Sequence, residues 1–393
     1  MNAKPVPYSF AFERKGDMGE EPTEKALDAL DALDALDDAR STIDEVDRQM
    51  AALFSRRMQA ASQIAAFKAE RGLAIRDAER EAAILEHNGL LVDAEIRPYY
   101  LRFMENVMEE SRRYQRRLME GLRVAYSGVE GAFAWTAALR AFPGAELCAH
   151  DNFQAAYDAV VDGTCDCAVL PMENSAAGEV GPVVDLLFNG PLVVNRTFSV
   201  PIVQNLLGVP GATIEGINAV SSHPQALMQC SDYLAAHGWE LRNASNTAIA
   251  AKAVAEAGDP TVAAIAGAET ADLYGLEILA PGINDSMMNV TIFGVFSRVV
   301  AEGPSGYFVL LFTVKDEAGA LAKAVNVVGA HGFNMTSLRS RPMKSLPWSY
   351  YFIVEAAGDI SSPEGEAMLA ELGKHCDRLK VAGRISSHDT LDE

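Results

Sequence analysis

Between about residues 40 and 71 the apolar positions Ile43, Val46, Met50, Leu53/Phe54, Met58, Ile64 and Phe67 recur at steps of three and four, with no Pro or Gly until Gly72. That is the period of one face of an α-helix. At 1.5 Å per residue it predicts a rod of roughly 45 Å, too long for a small domain to cover, so the stripe points to a bundle completed by a second chain. Similar patterns at about 77–88 and 93–119 make residues 36–120 all-α. Upstream, ALDALDALDALDD places leucines at 27, 30, 33 and 36. A three-residue spacing drifts around a 3.6-residue helix, so a frayed acidic helical extension is expected there. Residues 1–22 mix Gly, Pro and charge without a period and read as a loose tail.

From Gly121 the pattern changes to short apolar runs alternating with helical ones. RVAYSG is a strand opening on a Gly turn, AFAWTAALRAF a helix, and CDCAVLPMENSAAG a strand breaking into a polar loop. LVVNRTFSVPIVQNLLGV reads as one or two strands, INAVSSHPQALMQCSDYLAAHG as strand, loop and helix, and TVAAIAGAETADLYGL and VTIFGVFSRV continue the alternation. About 180 residues of this kind predict a two-lobed α/β domain. AEGPSG (301–306) has linker composition. Beyond it the order β-α-β-β-α-β spells a ferredoxin-like split unit. The expected organisation is a tail with helical extension over 1–35, a helical domain over 36–120, an α/β domain over 122–300 and a small βαββαβ domain over 306–386.

Composition narrows the function classes. Half the residues are apolar and 22% charged, as in ordinary globular chains. The apolar runs fall far short of the ~20 residues of a membrane span, and the N-terminus lacks a signal-type apolar core, so no membrane partner and a cytoplasmic location are expected. A net charge of −21 argues against nucleic acid as partner. The five cysteines are too irregularly spaced for a disulfide framework. No metal-ligand cluster or phosphate loop is visible, so no cofactor is implied. The basic residues are uneven: residues 36–120 hold 14 Lys+Arg against 16 Asp+Glu, a net of −2. An anion site is expected there first.

Within that segment, Arg57 and Lys68 lie eleven residues apart and share a helical face. Arg40 and Arg57 are 17 positions apart, ~25 Å along the axis. One straight helix cannot aim both at one small ligand, but a two-fold dimer lets the same helix serve two sites. Asp77, Arg80 and Glu81 share a face, as do Ser111 and Gln115. A solvated charged face would explain RDAERE (76–81) alone, not these eight positions across three helices. In type and spacing they resemble the active-site set of the all-helical chorismate mutases, an intertwined helical dimer. The resemblance implies that Arg57, and Arg40 from the partner chain, grip the carboxylates of chorismate. It implies that Lys68 and Gln115 serve catalysis at the ether oxygen and Glu81 holds the substrate hydroxyl, with Asp77, Arg80 and Ser111 completing the shell. Arg76 and Glu79 are left to solvent.

GVEGAF (128–133), PMENSAAG (171–178), SHPQ (222–225), SNTA (245–248) and NVTIF (289–293) fall where strands end, the usual ligand side of α/β folds. Singly they are turns and caps; in this order they resemble prephenate dehydratase. By that resemblance Glu173, Asn174, Ser175, Gln225 and Thr247 line a prephenate cleft, Thr291 is catalytic, and His223 is structural or substrate-facing. The chain departs from the family's Thr-Arg-Phe at Ile292, and carries Ala132 and Ala134 where Ser or Thr is usual. Residues 307–385 resemble an ACT domain: Gly319, Ala320, Leu321 and Ser340, Arg341, Pro342 match its phenylalanine-binding segments, with Arg339 in place of the usual Glu. The resemblances together imply a homodimeric or larger enzyme that converts chorismate to prephenate and prephenate to phenylpyruvate under phenylalanine feedback. The alternative from another class is an active mutase fused to a degenerate cleft that only senses aromatic ligands. Ile292 favours it; Thr247, Gln225 and Thr291 oppose it. A purely structural helical dimerisation module ahead of the enzyme is a third reading.

Overall fold

The computed structural model describes residues 24–286, 288–344, 346–386 and 388–391, and these divide between Gln115 and Arg116 into two compact units. The loose tail expected over residues 1–22 lies outside the described residues. The first unit holds helices α1 (Glu24–Arg71) and α2 (Ala78–Gly89), and α3 (Arg97–Glu120) as far as Gln115. The Ala/Leu/Asp repeat is the first part of α1, as a run without Gly or Pro allows. Gly72, at φ 62°, ends α1 in the left-handed region, and Leu73 N–H returns to the Lys68 carbonyl at 3.0 Å. Asp77 caps α2 by accepting from Arg80 N–H at 3.0 Å. α3 starts at Arg97 rather than 93, because Pro98 fits only a first helical turn. Small Ala61 and Ala65 are the apolar positions buried along α1, whereas Ile43, Leu53 and Phe67 are 50–59% exposed. The apolar stripe thus stays uncovered within one chain.

In the second unit a mixed sheet runs in the order Asn334–Pro342, Tyr350–Ala357, Tyr307–Thr313, Arg378–Ile385, Val193–Pro201, Val290–Ser297, Cys167–Asn174, Arg123–Ser127, Glu146–His150. The first four strands belong to the βαββαβ module, whose helices are Ala320–Ala330 and Pro363–Leu372. Beyond the linker-composition stretch 301–306, the module's last strand joins the lobe's sheet, Gly383 opposite Val194. A Cβ on Gly383 would meet the Val194 carbonyl oxygen at 3.1 Å, so the close approach favours glycine. A further strand, His388–Thr390, pairs along Val193–Pro201. The second lobe is a five-stranded sheet ordered Glu277–Ala280, Asn205–Gly208, Val262–Ala266, Ala219–Ser222, Glu240–Asn243. No helix among the described residues is long and apolar enough to cross a membrane.

Lys380 staples module to lobe. Its ammonium donates to the carbonyls of Leu187, Gly190 and Leu192 at 2.6–2.9 Å, closing the end of the helix Gly181–Asn189. Phe188 stacks on Tyr351 of the module at 4.1 Å between ring centroids. Lys380→Met keeps the stem but leaves three carbonyls without that donor. It is expected to destabilise this unit by about 1–3 kcal/mol, read as a lower midpoint in thermal unfolding.

Candidate active sites

In the helical unit α1 and α3 bring together three of the expected residues. The Arg57 guanidinium donates to Ser111 Oγ and to the Val107 carbonyl (3.4 Å), and burial pulls its pKa below the ordinary arginine value. Ser111 and Gln115 are buried one turn apart on α3; Gln115 donates to the Ser111 carbonyl at 3.2 Å while its Oε1 is buried without a partner. Lys68 donates to the Ile75 carbonyl at 2.5 Å, tying the end of α1 to the segment leading into α2. Two ammonium protons remain for a ligand. Glu81 accepts from Arg112 at 2.6 Å, a partner the sequence reading missed, and also lies 3.6 Å from Arg76, which is otherwise open to solvent as expected. Asp77 and Arg80 are exposed in the single chain, Asp77 acting as the α2 cap. Arg40 is 66% exposed and pairs only locally with Asp37. One helix therefore carries Arg40 and Arg57 at separate places, as the spacing required. Arg57 also borders an apolar groove of about 840 Å³ lined by Met50, Leu53, Phe54, Tyr99 and Phe103.

In the α/β unit a cavity of about 440 Å³ is lined by Asn174, His223, Gln225, Thr247 and Thr291. Ser127, Glu179, Gln204 and Asn246 line it too, and the sequence reading missed them. Ser127 ends its strand and so fits the strand-end rule. Glu179 belongs to a two-residue strand folded back on Glu173–Asn174, too short for any period to reveal. Thr291 is 8% exposed on the strand Val290–Ser297. Asn174 Nδ2 donates to its Oγ1 at 2.9 Å, while Asn174 Oδ1 is held by Ala176 and Ala177 N–H at 3.0 and 2.9 Å. The Asn174 amide is thus fixed as the donor, and the Thr291 proton is free for another acceptor. His223 caps the helix Pro224–Gln229 by accepting from Gln225 N–H at Nδ1 (3.2 Å). That bond leaves the imidazole its proton on Nε2.

Two expected cleft residues lie elsewhere. Glu173 alternates away from Asn174 along the strand and receives Arg339 at 2.8 Å. Ser175 Oγ bridges the Met288 carbonyl and Val290 N–H, at 2.8 and 3.0 Å. Thr291 and Phe293 line the cavity and Ile292 does not, as alternation requires. Ala132 and Ala134 also line it, and Ala132 heads its helix without a side-chain cap.

In the βαββαβ module Gly319, at φ 80°, heads the helix containing Ala320 and Leu321. Ser340 and Pro342 are exposed. Arg341 points to the opposite face, so it is not presented beside them. It donates to Glu179 at 2.7 Å, Asp185 at 3.3 Å and the Tyr351 hydroxyl at 3.1 Å. Burial would raise the Asp185 pKa, but bonds from Lys344, Tyr351 and Arg341 hold it below the usual carboxylate value. Burial and the Asp185 carboxylate push the Tyr351 phenol up.

Residues 39–116 match the family described as chorismate mutase type II, 124–300 prephenate dehydratase, and 308–373 the ACT domain. The bifunctional chorismate mutase/prephenate dehydratase of Neisseria gonorrhoeae is 33% identical over 356 residues, 88% of this chain and 95% of that protein. Its counterpart in Escherichia coli K12 is 30% identical, covering 90% and 96%. Among solved structures, prephenate dehydratase from Arthrobacter aurescens in complex with L-Phe aligns with a TM-score of 0.62 at 28% identity, over 68% of this chain and 90% of that one.

Proposed function

The chain belongs to the bifunctional chorismate mutase/prephenate dehydratase family, and from that premise we propose how its side chains divide the work. The enzyme rearranges chorismate to prephenate and converts prephenate to phenylpyruvate, on the route to phenylalanine.

The mutase reaction is intramolecular: one C–O bond breaks as one C–C bond forms, and negative charge grows on the ether oxygen. The protein must hold the substrate folded and stabilise that oxygen. Arg57 grips one carboxylate, and Arg40 of a second copy grips the other. The exposed apolar stripe of α1 and its groove support that second copy. Lys68 serves the ether oxygen, and Gln115 Nε2, which keeps one amide proton beyond its bond to the Ser111 carbonyl, is the second donor to it. Glu81, oriented by Arg112, takes the substrate hydroxyl.

In the dehydratase reaction the ring carboxylate leaves as CO₂, its electron pair enters the ring, and the C–O bond breaks to expel hydroxide, which becomes water on taking a proton from solvent. Phenylpyruvate carries the remaining carboxylate. The observation that carries this reading is the Asn174–Thr291 bond, which leaves the Thr291 proton free to support the departing hydroxyl. Gln225 and Thr247 hold the carboxylates, and the His223 Nε2–H is a second donor at the wall. The segments 319–321 and 340–342 take phenylalanine, with the exposed Ser340 and Pro342 presented to it.

Purified protein given chorismate should release prephenate and then phenylpyruvate, and phenylalanine should suppress the second step. Accumulation of prephenate alone would select the degenerate-cleft alternative; dehydratase activity unchanged up to millimolar phenylalanine would remove the effector assignment.

A further inference from the structure

The most buried polar residues lining the dehydratase cavity are Gln204, Thr291 and Ser127, at 2%, 8% and 9% exposure. Gln204 stands in the crossing between the lobes, just after the strand Val193–Pro201, which sets Val200 opposite Thr291. Ile202 N–H continues that pairing, donating to the Asn289 carbonyl at 2.8 Å. Ile202 and Gln204 line the cavity and Val203 does not. The next side chain, Asn205, turns to the other side, bonded to the Ala266 carbonyl at 3.4 Å and to Gly282 N–H at 3.0 Å. Alternation along this extended stretch therefore aims the Gln204 side chain at the cavity. Its backbone is held on both sides: the N–H donates to Asn284 Oδ1 at 2.7 Å, and the carbonyl accepts from Ile283 N–H at 2.8 Å. The side-chain Oε1, in contrast, is buried with no partner among the described residues. A buried acceptor left unpaired is costly, so one kept at a cavity wall points to a donor on the ligand.

Both acids of prephenate are ionised near neutral pH and its ketone only accepts, so the ring hydroxyl is the one donor it carries. We propose that Gln204 is a specificity-determining residue for that hydroxyl: Oε1 accepts a hydrogen bond from it while Thr291 donates to its oxygen, and the two together place the leaving group. This rests on the reading that the cavity binds prephenate. The bond to Gln204 is made in the ground state and gains nothing as hydroxide departs, so it governs affinity more than rate.

The test is prephenate kinetics on the full chain, with thermal unfolding alongside. A second ligand, the prephenate analogue with hydrogen in place of the ring hydroxyl, is measured as a competitive inhibitor. Gln204→Met keeps the length of the side chain and removes the acceptor; Gln204→Leu takes its place if that variant does not fold. The variant should raise KM about tenfold with kcat nearly unchanged, yet bind the deoxy analogue as the wild type does. Its unfolding midpoint should not fall, because no hydrogen bond within the protein is lost. A glutamine with a merely structural role would instead lower the midpoint and weaken both ligands together. An unchanged KM, or an analogue weakened as much as prephenate, would overturn the proposal, the latter because the amide would then be holding a carboxylate or the fold. Failure of the wild-type chain to consume prephenate would instead overturn the reading beneath it.

Discussion

Lys68→Ala is expected to lower mutase kcat about a hundred- to a thousandfold, while prephenate turnover by the same chain stays at the wild-type level. The ammonium is aimed by geometry: α1 ends three residues later, and the Lys68–Ile75 bond fixes the head group while two of its protons remain. Positive charge there counts most when the ether oxygen becomes negative, so kcat should fall more than KM rises. The carboxylate grips, which hold the ground state as well, are untouched. Arg40→Ala should act differently, raising KM, because it removes a grip. The pair also tests the shared site. A mixed dimer of Arg40→Ala and Lys68→Ala chains has one site with both defects and one with neither. Co-expressing the two should therefore recover about a quarter of wild-type activity if subunits pair at random. Wild-type turnover by Lys68→Ala would remove the assignment, and no recovery on co-expression would remove Arg40 from the partner's site.

Periodicity made the helical unit legible, since the 3.6-residue stripe of α1 and the shared faces of Arg57 with Lys68 and of Ser111 with Gln115 are local properties of a helix. The βαββαβ order was legible for the same reason. Boundaries were less so: α1 begins at Glu24 because Ala and Leu keep a helix going whatever the spacing of the stripe. The strand Glu146–His150 and the helix Phe153–Val161 went unread, although Asn152 gives that helix a capping signal. In the α/β unit the strand-end motifs marked where to look, and the family resemblance named Asn174, His223, Gln225, Thr247 and Thr291, which line one cavity. The resemblances also named Glu173, which strand alternation puts on the opposite side from Asn174, and Arg341, which alternation turns away from Ser340. The ion pairs that carry Arg339 to Glu173 and Arg341 to Glu179 and Asp185 were out of reach, because they join residues more than 150 positions apart in sequence. Ion pairing leaves no periodic trace. The joining of module and lobe in one sheet was hidden likewise, since composition marks a linker but not which strands then pair.

Thr291→Val should abolish most dehydratase activity, lowering kcat about a hundred- to a thousandfold with mutase turnover intact, so that chorismate is converted and prephenate accumulates. The substitution is chosen to isolate the hydroxyl. Val keeps the β-branch suited to the strand and nearly the same volume. Asn174 Nδ2 loses one acceptor but keeps Asn289 Oδ1 at 2.9 Å and the Val290 carbonyl at 3.3 Å, so the loop stays tied down. What disappears is the proton that Asn174 leaves free. A hydrogen bond to the substrate hydroxyl strengthens as that group departs as hydroxide, so its loss should appear in kcat with KM little changed. Thr291→Ser, which restores a hydroxyl without the methyl group, should recover a large part of the rate. A second substitution separates donor from scaffold. Asn174→Leu removes the amide that holds Thr291 Oγ1 and should lower kcat less than Thr291→Val, because the hydroxyl is still present but no longer aimed. If Thr291→Val turned prephenate over at the wild-type rate, the leaving hydroxyl would have to draw its hydrogen bond from another group at the wall, with the His223 Nε2–H the first to test.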